Sequence, residues 1–126
     1  MHIFAALNEI TLLLHSLLIN NIDVQNLMTS VIKASVSNSL KTRFKILCIE
    51  NNVTISKMIE KLIEEFIELK PPLPHQLGCS LQDSAIIKGY ISDPLKLKFK
   101  IFCAQQEIPM NSVLQYLIIR WVEEHP

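Results

Sequence analysis

Hydrophobic and polar positions alternate over residues 30–36, with Ile32, Ala34 and Val36 on one side and Val31, Lys33 and Ser35 on the other. A period of two predicts a half-buried strand. From Leu40 the period lengthens, and Leu40, Phe44, Leu47 and Cys48 share one face of a helix running to about Asn51. Ser37-Asn38-Ser39 supplies the helix start, with Ser37 as its cap. Asn51-Asn52 ends it, because asparagine tolerates left-handed backbone. Thr54 then caps a second helix whose buried stripe is Ile55, Ile59, Leu62, Ile63 and Phe66. The unit is strand, helix, tight turn, helix.

The same pattern returns at a constant offset of 55 positions (Leu40 to Leu95) without a gap. Ile32, Lys33, Ser37, Leu40, Lys41, Phe44, Lys45, Ile46 and Cys48 recur as Ile87, Lys88, Ser92, Leu95, Lys96, Phe99, Lys100, Ile101 and Cys103. The later half of the unit keeps its apolar spacing with different residues, so that Phe66 and Ile67 become Trp121 and Val122. A second strand over 85–91, a Ser92-Asp93-Pro94 helix start, a helix to about Gln106 and a last helix behind Pro109 follow. Gly89 interrupts the second strand and predicts a bulge or a weakened pair. A unit this short rarely buries a core alone, so the two copies are expected to pack together. Phe44, Phe66, Phe99 and Trp121 are the expected core aromatics.

The division that follows is an N-terminal extension over 1–29, a first unit over 30–68, a linker over 69–84 and a second unit over 85–124. In the extension, Ile3, Leu7, Ile10, Leu14 and Leu17 fall on one helical face. That predicts an amphipathic helix packed on the core or on another copy of the chain. A membrane-surface helix is the alternative, but the flanking lysines usual for one are missing. No basic residue precedes the apolar run as in a secretory signal, and Asn8, Glu9, His15 and Ser16 interrupt it as they would not a membrane span. Met28 directly precedes the first unit, which leaves an internal start as an alternative. The linker carries Pro71, Pro72, Pro74 and Gly78 and reads as extended and stiff.

Composition agrees with a compact, mostly helical protein: 49% of the 126 residues are apolar and only two are glycine. The three cysteines show no metal-binding spacing, and the four histidines are scattered. Cys48 and Cys103 share one repeat position, which favours small buried side chains over a disulfide and a reducing, cytoplasmic setting. Cys79 is a linker thiol with no base near it in sequence. Formal net charge is zero, which by itself argues against a nucleic-acid partner, but the charge is unevenly spread. No acid lies between Asp23 and Glu50, whereas Lys33, Lys41, Arg43 and Lys45 do. Lys88, Lys96, Lys98 and Lys100 repeat that arrangement against Asp93 alone. The acids collect at the back of each unit, as Glu60, Glu64, Glu65 and Glu68, then Glu123 and Glu124.

The order strand, capped helix, asparagine-containing turn, capped helix, with Leu40, Phe44 and Cys48 leading into Asn52, Thr54 and Ser56, resembles the ribbon-helix-helix DNA-binding family of MetJ and Arc type. The resemblance covers both units. It implies a mainly α fold in which the two units form a single-chain pseudo-dimer with a two-stranded antiparallel ribbon, plus an N-terminal helix. It also implies that the ribbon enters the major groove of double-stranded DNA, and that the start of each second helix holds a phosphate. The latter role falls on Thr54, Ile55 and Ser56, and on Met110, Asn111 and Ser112.

Strand alternation makes Val31, Lys33 and Ser35, with Ile86, Lys88 and Tyr90, the outward set able to reach base edges. Lysine can donate to guanine O6 and N7, serine can pair with several bases, and tyrosine can hydrogen-bond or pack on a thymine methyl. Lys41, Arg43 and Lys45, with Lys96, Lys98 and Lys100, are the candidate backbone contacts. Two outward positions are apolar and none is arginine, which narrows base readout. The difference between Ser35 and Tyr90 predicts asymmetric reading of a palindromic site. The expected function is sequence-specific DNA binding, as a transcriptional repressor or plasmid-type control protein, with plasmid transfer or partition by site bending as a variant. An antitoxin is disfavoured, since no toxin-binding tail follows the second helix. The alternative class is a protein-interaction module using the N-terminal helix and the Ile46 and Ile101 surface, which also offers a route to homo-oligomers. No acid, base and nucleophile converge, so no enzyme is expected. Neither cofactor nor metal is expected.

Overall fold

A computed structural model describes residues 28–74, 77 and 83–126. The chain runs β1 (Thr29–Ser37), α1 (Asn38–Glu50), α2 (Ile55–Leu69), β2 (Ser84–Ser92), α3 (Asp93–Gln105) and α4 (Met110–Glu123). Among the described residues, four helices and one two-stranded antiparallel sheet make the fold mainly α. The expected N-terminal helix lies outside the described residues, as does Cys79.

The helix starts follow the caps written in the sequence. Ser37 Oγ accepts from the Leu40 amide at 3.1 Å, and Ser92 Oγ accepts from the Leu95 amide at 3.3 Å. Thr54 Oγ1 accepts from the Lys57 amide at 3.0 Å. Each such bond satisfies one of the donors that a helix start leaves orphaned. Both tight turns between helices pass through left-handed backbone, at Asn52 (φ 54°) and at its repeat mate Glu107 (φ 58°).

The two strands pair along their whole length, from Thr29 opposite Ser92 to Ser37 opposite Ser84. Lys33 stands opposite Lys88, so the central pair of the ladder is also a pair of repeat mates. The ribbon continues past its ends. The Asp93 amide donates to the Met28 carbonyl at 2.7 Å, Ser30 Oγ donates to the Asp93 carboxylate, and Asn38 Nδ2 donates to the Asp83 carboxylate. Gly89 causes no bulge, contrary to the expectation from its place in a strand: it pairs with Ile32 in unbroken register. Its role is a close approach. A Cβ there would stand 2.8 Å from Ile59 Cδ1 and 3.3 Å from Ser56 Cα, where the start of α2 crosses the ribbon.

One face of the ribbon supplies Ile32, Ala34, Val36, Ile87 and Ile91 to the core. The helices close over them with an exchange of partners between the units. Phe44 of α1 meets Trp121 of α4 edge-on at 5.5 Å, and Phe99 of α3 meets Phe66 of α2 edge-on at 6.1 Å. These are equivalent contacts, each joining the first helix of one unit to the second helix of the other. In the same way α2 packs on β2 and α4 on β1. Trp121, expected in the core, is half-buried and covers its edge, while Phe44 and Phe99 are fully enclosed. Cys48 and Cys103 are buried free thiols, and burial pushes both up to about 11. In the linker, Leu73 and Leu77 pack against the core.

Candidate nucleic-acid interface

The outer face of the ribbon is where the alternation placed it. Lys33, Ile86, Lys88 and Tyr90 are exposed, and Val31 and Ser35 are half-buried. Register sorts them into three cross-strand pairs: Val31 with Tyr90, Lys33 with Lys88 at the centre, and Ser35 with Ile86. No carboxylate belongs to either strand; Asp83 and Asp93 flank the ribbon ends and are engaged by Asn38 and Ser30.

The starts of the second helices border this face. Ser56 Oγ accepts from the Tyr90 amide at 2.9 Å, which ties the first turn of α2 to β2. Gln115, buried one turn into α4, donates from Nε2 to the Ser35 carbonyl at 2.6 Å and ties α4 to β1. In α2 the Lys57 amide is taken by Thr54 and the Met58 amide by the Thr54 carbonyl. The Ile55 and Ser56 amides precede any intrahelical acceptor and remain orphan donors. In α4 the Ser112 and Val113 amides both go to the Pro109 carbonyl, at 3.1 and 3.2 Å, which leaves Met110 and Asn111. Of the six residues expected at the phosphate positions, only Ser112 spends its amide on the first turn. Thr54 adds a side-chain cap, and Ile55, Ser56, Met110 and Asn111 present the amides of the helix starts. Two orphan amides at the positive end of a helix suit an anion.

The helix lysines do not form one surface. Lys96 Nζ donates to the Val31 carbonyl at 2.9 Å and lies half-buried against the ribbon edge. Its repeat mate Lys41 is also half-buried, and Lys45 and Lys100 are exposed one turn further on. Arg43 turns away. Its Nη2 donates to the Val122 carbonyl at 3.4 Å, at the far end of α4 from the ribbon. Lys98 is its exposed repeat mate.

Three features here were missed by sequence reasoning. Gln115 resembled any helix glutamine, and only its spacing within the buried stripe of Leu114, Leu117 and Ile118 hinted at burial. Ser56 read as a phosphate contact through its amide, whereas its hydroxyl also anchors the ribbon. Lys57, exposed in the first turn of α2, pairs with Glu60 at 3.0 Å. That hydrogen bond, and then the Glu60 charge, holds its ammonium above the ordinary range.

Among the described residues no three His, Cys, Asp or Glu side chains gather as a metal site, and no helix is long and apolar enough to cross a membrane. The chain matched no protein-family model, no curated protein and no solved structure.

Proposed function

We propose that the chain is a single-chain pseudo-dimer of the ribbon-helix-helix kind that binds double-stranded DNA sequence-specifically, as a cytoplasmic transcriptional repressor or plasmid-type control protein. The observation that carries this reading is the coincidence of ladder and repeat at Lys33 and Lys88. Two equivalent, exposed lysines stand side by side at the centre of a two-stranded ribbon, with one helix N-terminus on each flank. A ribbon of this width fits the major groove, and each lysine can donate to guanine O6 and N7. The free amides of Ile55 and Ser56, and of Met110 and Asn111, then meet phosphates on either side and fix the register without reading sequence. Lys96 adds positive charge at the ribbon edge. Zero net charge is no obstacle, because Glu60, Glu64, Glu65, Glu68, Glu123 and Glu124 lie in α2 and at the end of α4, and the two acids nearest the ribbon, Asp83 and Asp93, are engaged by Asn38 and Ser30.

Fluorescence anisotropy on a random-sequence duplex pool across salt tests the reading. Wild type is expected to bind with a log-log salt slope of about −0.9 per neutralised phosphate. Lys33→Ala/Lys88→Ala is expected to lose on the order of 1–3 kcal/mol for each lost base contact, with its melting curve unchanged. Absence of binding at low salt overturns it.

One observation favours a second reading. Ile46 and Ile49 on α1, and Leu97 and Ile101 on α3, are 49–76% exposed, one apolar spot on each of two helices that do not touch, and each suits a protein partner. If duplex DNA is not bound, these two spots become the place to look.

A further inference from the structure

We propose that the ribbon reads two chemically unequal half-sites, and that Tyr90 is the residue that orients the chain on its site. The inference rests on the DNA-binding reading above and names the kind of duplex bound: symmetric at its centre and non-palindromic at its flanks.

The line between Lys33 and Lys88 divides the outer face in two. On one side stand Val31 and Tyr90, bordered by the first turn of α2, with Ser56 bonded to the Tyr90 amide. On the other stand Ser35 and Ile86, bordered by the first turn of α4, with Gln115 bonded to the Ser35 carbonyl. Exchanging the halves converts Val31 into Ile86, a difference of one methylene between branched apolar side chains. The same exchange converts Tyr90 into Ser35. A tyrosine 58% exposed projects an aromatic ring and a terminal hydroxyl toward the groove. Serine keeps its hydroxyl near the backbone and accepts several bases, while a ring packs on a thymine methyl and discriminates against bases that lack one. The chemical asymmetry of the outer face is concentrated at this one pair.

The scaffold behind the pair is unequal in the same sense. Gly89 brings Ser56 Cα within 3.3 Å of the place a Cβ would occupy, so α2 lies close over β2 beside Tyr90. The repeat mate of Gly89 is Ala34, which keeps its methyl group beneath α4 and is buried. The first turn of α2 is held to the ribbon through an amide donor of the strand, and α4 is held one turn further in, through a carbonyl acceptor. The two pairs of free amides are therefore seated differently, and the flanking phosphates they grip need not be equidistant from the centre.

Selection of duplexes from a random pool with wild type, Tyr90→Ser and Ser35→Tyr tests this. The wild-type motif is expected to be two-fold symmetric at its centre and to carry a thymine-containing preference on one flank only. Tyr90→Ser, which equalises the two positions, is expected to yield a palindromic motif and to bind the wild-type motif about tenfold more weakly. Ser35→Tyr is expected to repeat the flanking preference on the second side. A palindromic wild-type motif overturns the proposal, and so does a Tyr90→Ser motif that stays asymmetric. Failure of wild type to enrich any duplex overturns the DNA reading itself, an outcome distinct from a symmetric motif. Because the Tyr90 side chain is exposed, Tyr90→Ser is expected to melt with wild type, so its changed motif reports on recognition.

Discussion

The first unit closes over Phe44 and Cys48, the second over Phe99 and Cys103, and all four side chains are buried to within 2%. Where the second helices meet the ribbon, the correspondence stops. Gly89 replaces Ala34, Ser56 bonds a strand amide whereas on the other side Gln115, four positions beyond the Ser56 mate Asn111, bonds a strand carbonyl, and Thr54 caps α2 where Pro109 precedes α4 without a side-chain bond. The difference has a physical origin. Each core aromatic packs on a helix of the opposite unit, so a change of volume in either copy disturbs both, and close-packed interiors tolerate little of that. A helix start, by contrast, needs its seat satisfied but can be satisfied in several chemical ways. The seats diverged in polar chemistry; the core exchanged side chains, as Phe66 for Trp121 and Met58 for Val113, but only among apolar ones.

The strongest test of the shared core is to remove it from one side. Phe44→Ala and Phe99→Ala are each expected to cost about 3–5 kcal/mol, the usual range for a buried phenylalanine. Because Phe44 rests on Trp121 and Phe99 on Phe66, either change is expected to weaken both units together. Denaturant unfolding followed by far-ultraviolet circular dichroism and by Trp121 fluorescence is expected to give coincident single transitions for both variants. Two separated transitions would mean that the units fold independently.

Much of this was legible along the chain. Ser37, Thr54 and Ser92 announced themselves as caps by sitting directly before helical periodicity. The alternation around Lys33 and Lys88 sorted the ribbon into an inner and an outer face before any pairing was known. What could not be read is whatever depends on the opposite unit. Local pattern does not say that α1 packs on α4, so Trp121 was expected in the core when it lies at the edge. Nor does it say where a long side chain ends: Arg43 and Lys96 looked equivalent as basic residues, but one reaches a helix carbonyl and the other a strand carbonyl. Gly89 was read by the usual logic of glycine in a strand. Its cause is a helix 30 residues earlier in the chain, which no strand pattern records.

The seat of α2 supplies the next test. In Gly89→Ala the new methyl meets the tip of Ile59, which can swing, and Ser56 Cα, which is backbone and cannot move without lifting the helix start. The expected cost is about 1–3 kcal/mol, the range for overpacking, together with loss of the Ser56 to Tyr90 bond. The reciprocal Ala34→Gly removes a buried methyl and loosens the strand, for roughly 1 kcal/mol. Urea midpoints of the two variants compare the seats directly. A neutral Gly89→Ala would show that α2 is not held closely to the ribbon, and would remove one support for unequal half-sites.

The smallest effect concerns the caps. Thr54→Ala removes the acceptor for the Lys57 amide at an exposed helix start, and such caps are worth about 1 kcal/mol. Pro109 has no side-chain bond to lose. Pro109→Ser would add a cap oxygen beside α4, a gain of the same order, but would also release the backbone restriction that proline imposes on the unfolded chain. That restriction contributes roughly 0.4–1 kcal/mol, so the two changes nearly cancel. The expectation is a measurable loss for Thr54→Ala and almost none for Pro109→Ser, read as a difference in urea midpoint at unchanged slope. Equal losses would indicate that α4 depends on proline stiffness as much as α2 depends on its cap. The two helix starts would then be equally strong supports for their free amides, reached by opposite means: one by a bond in the folded chain, the other by order already present in the unfolded one.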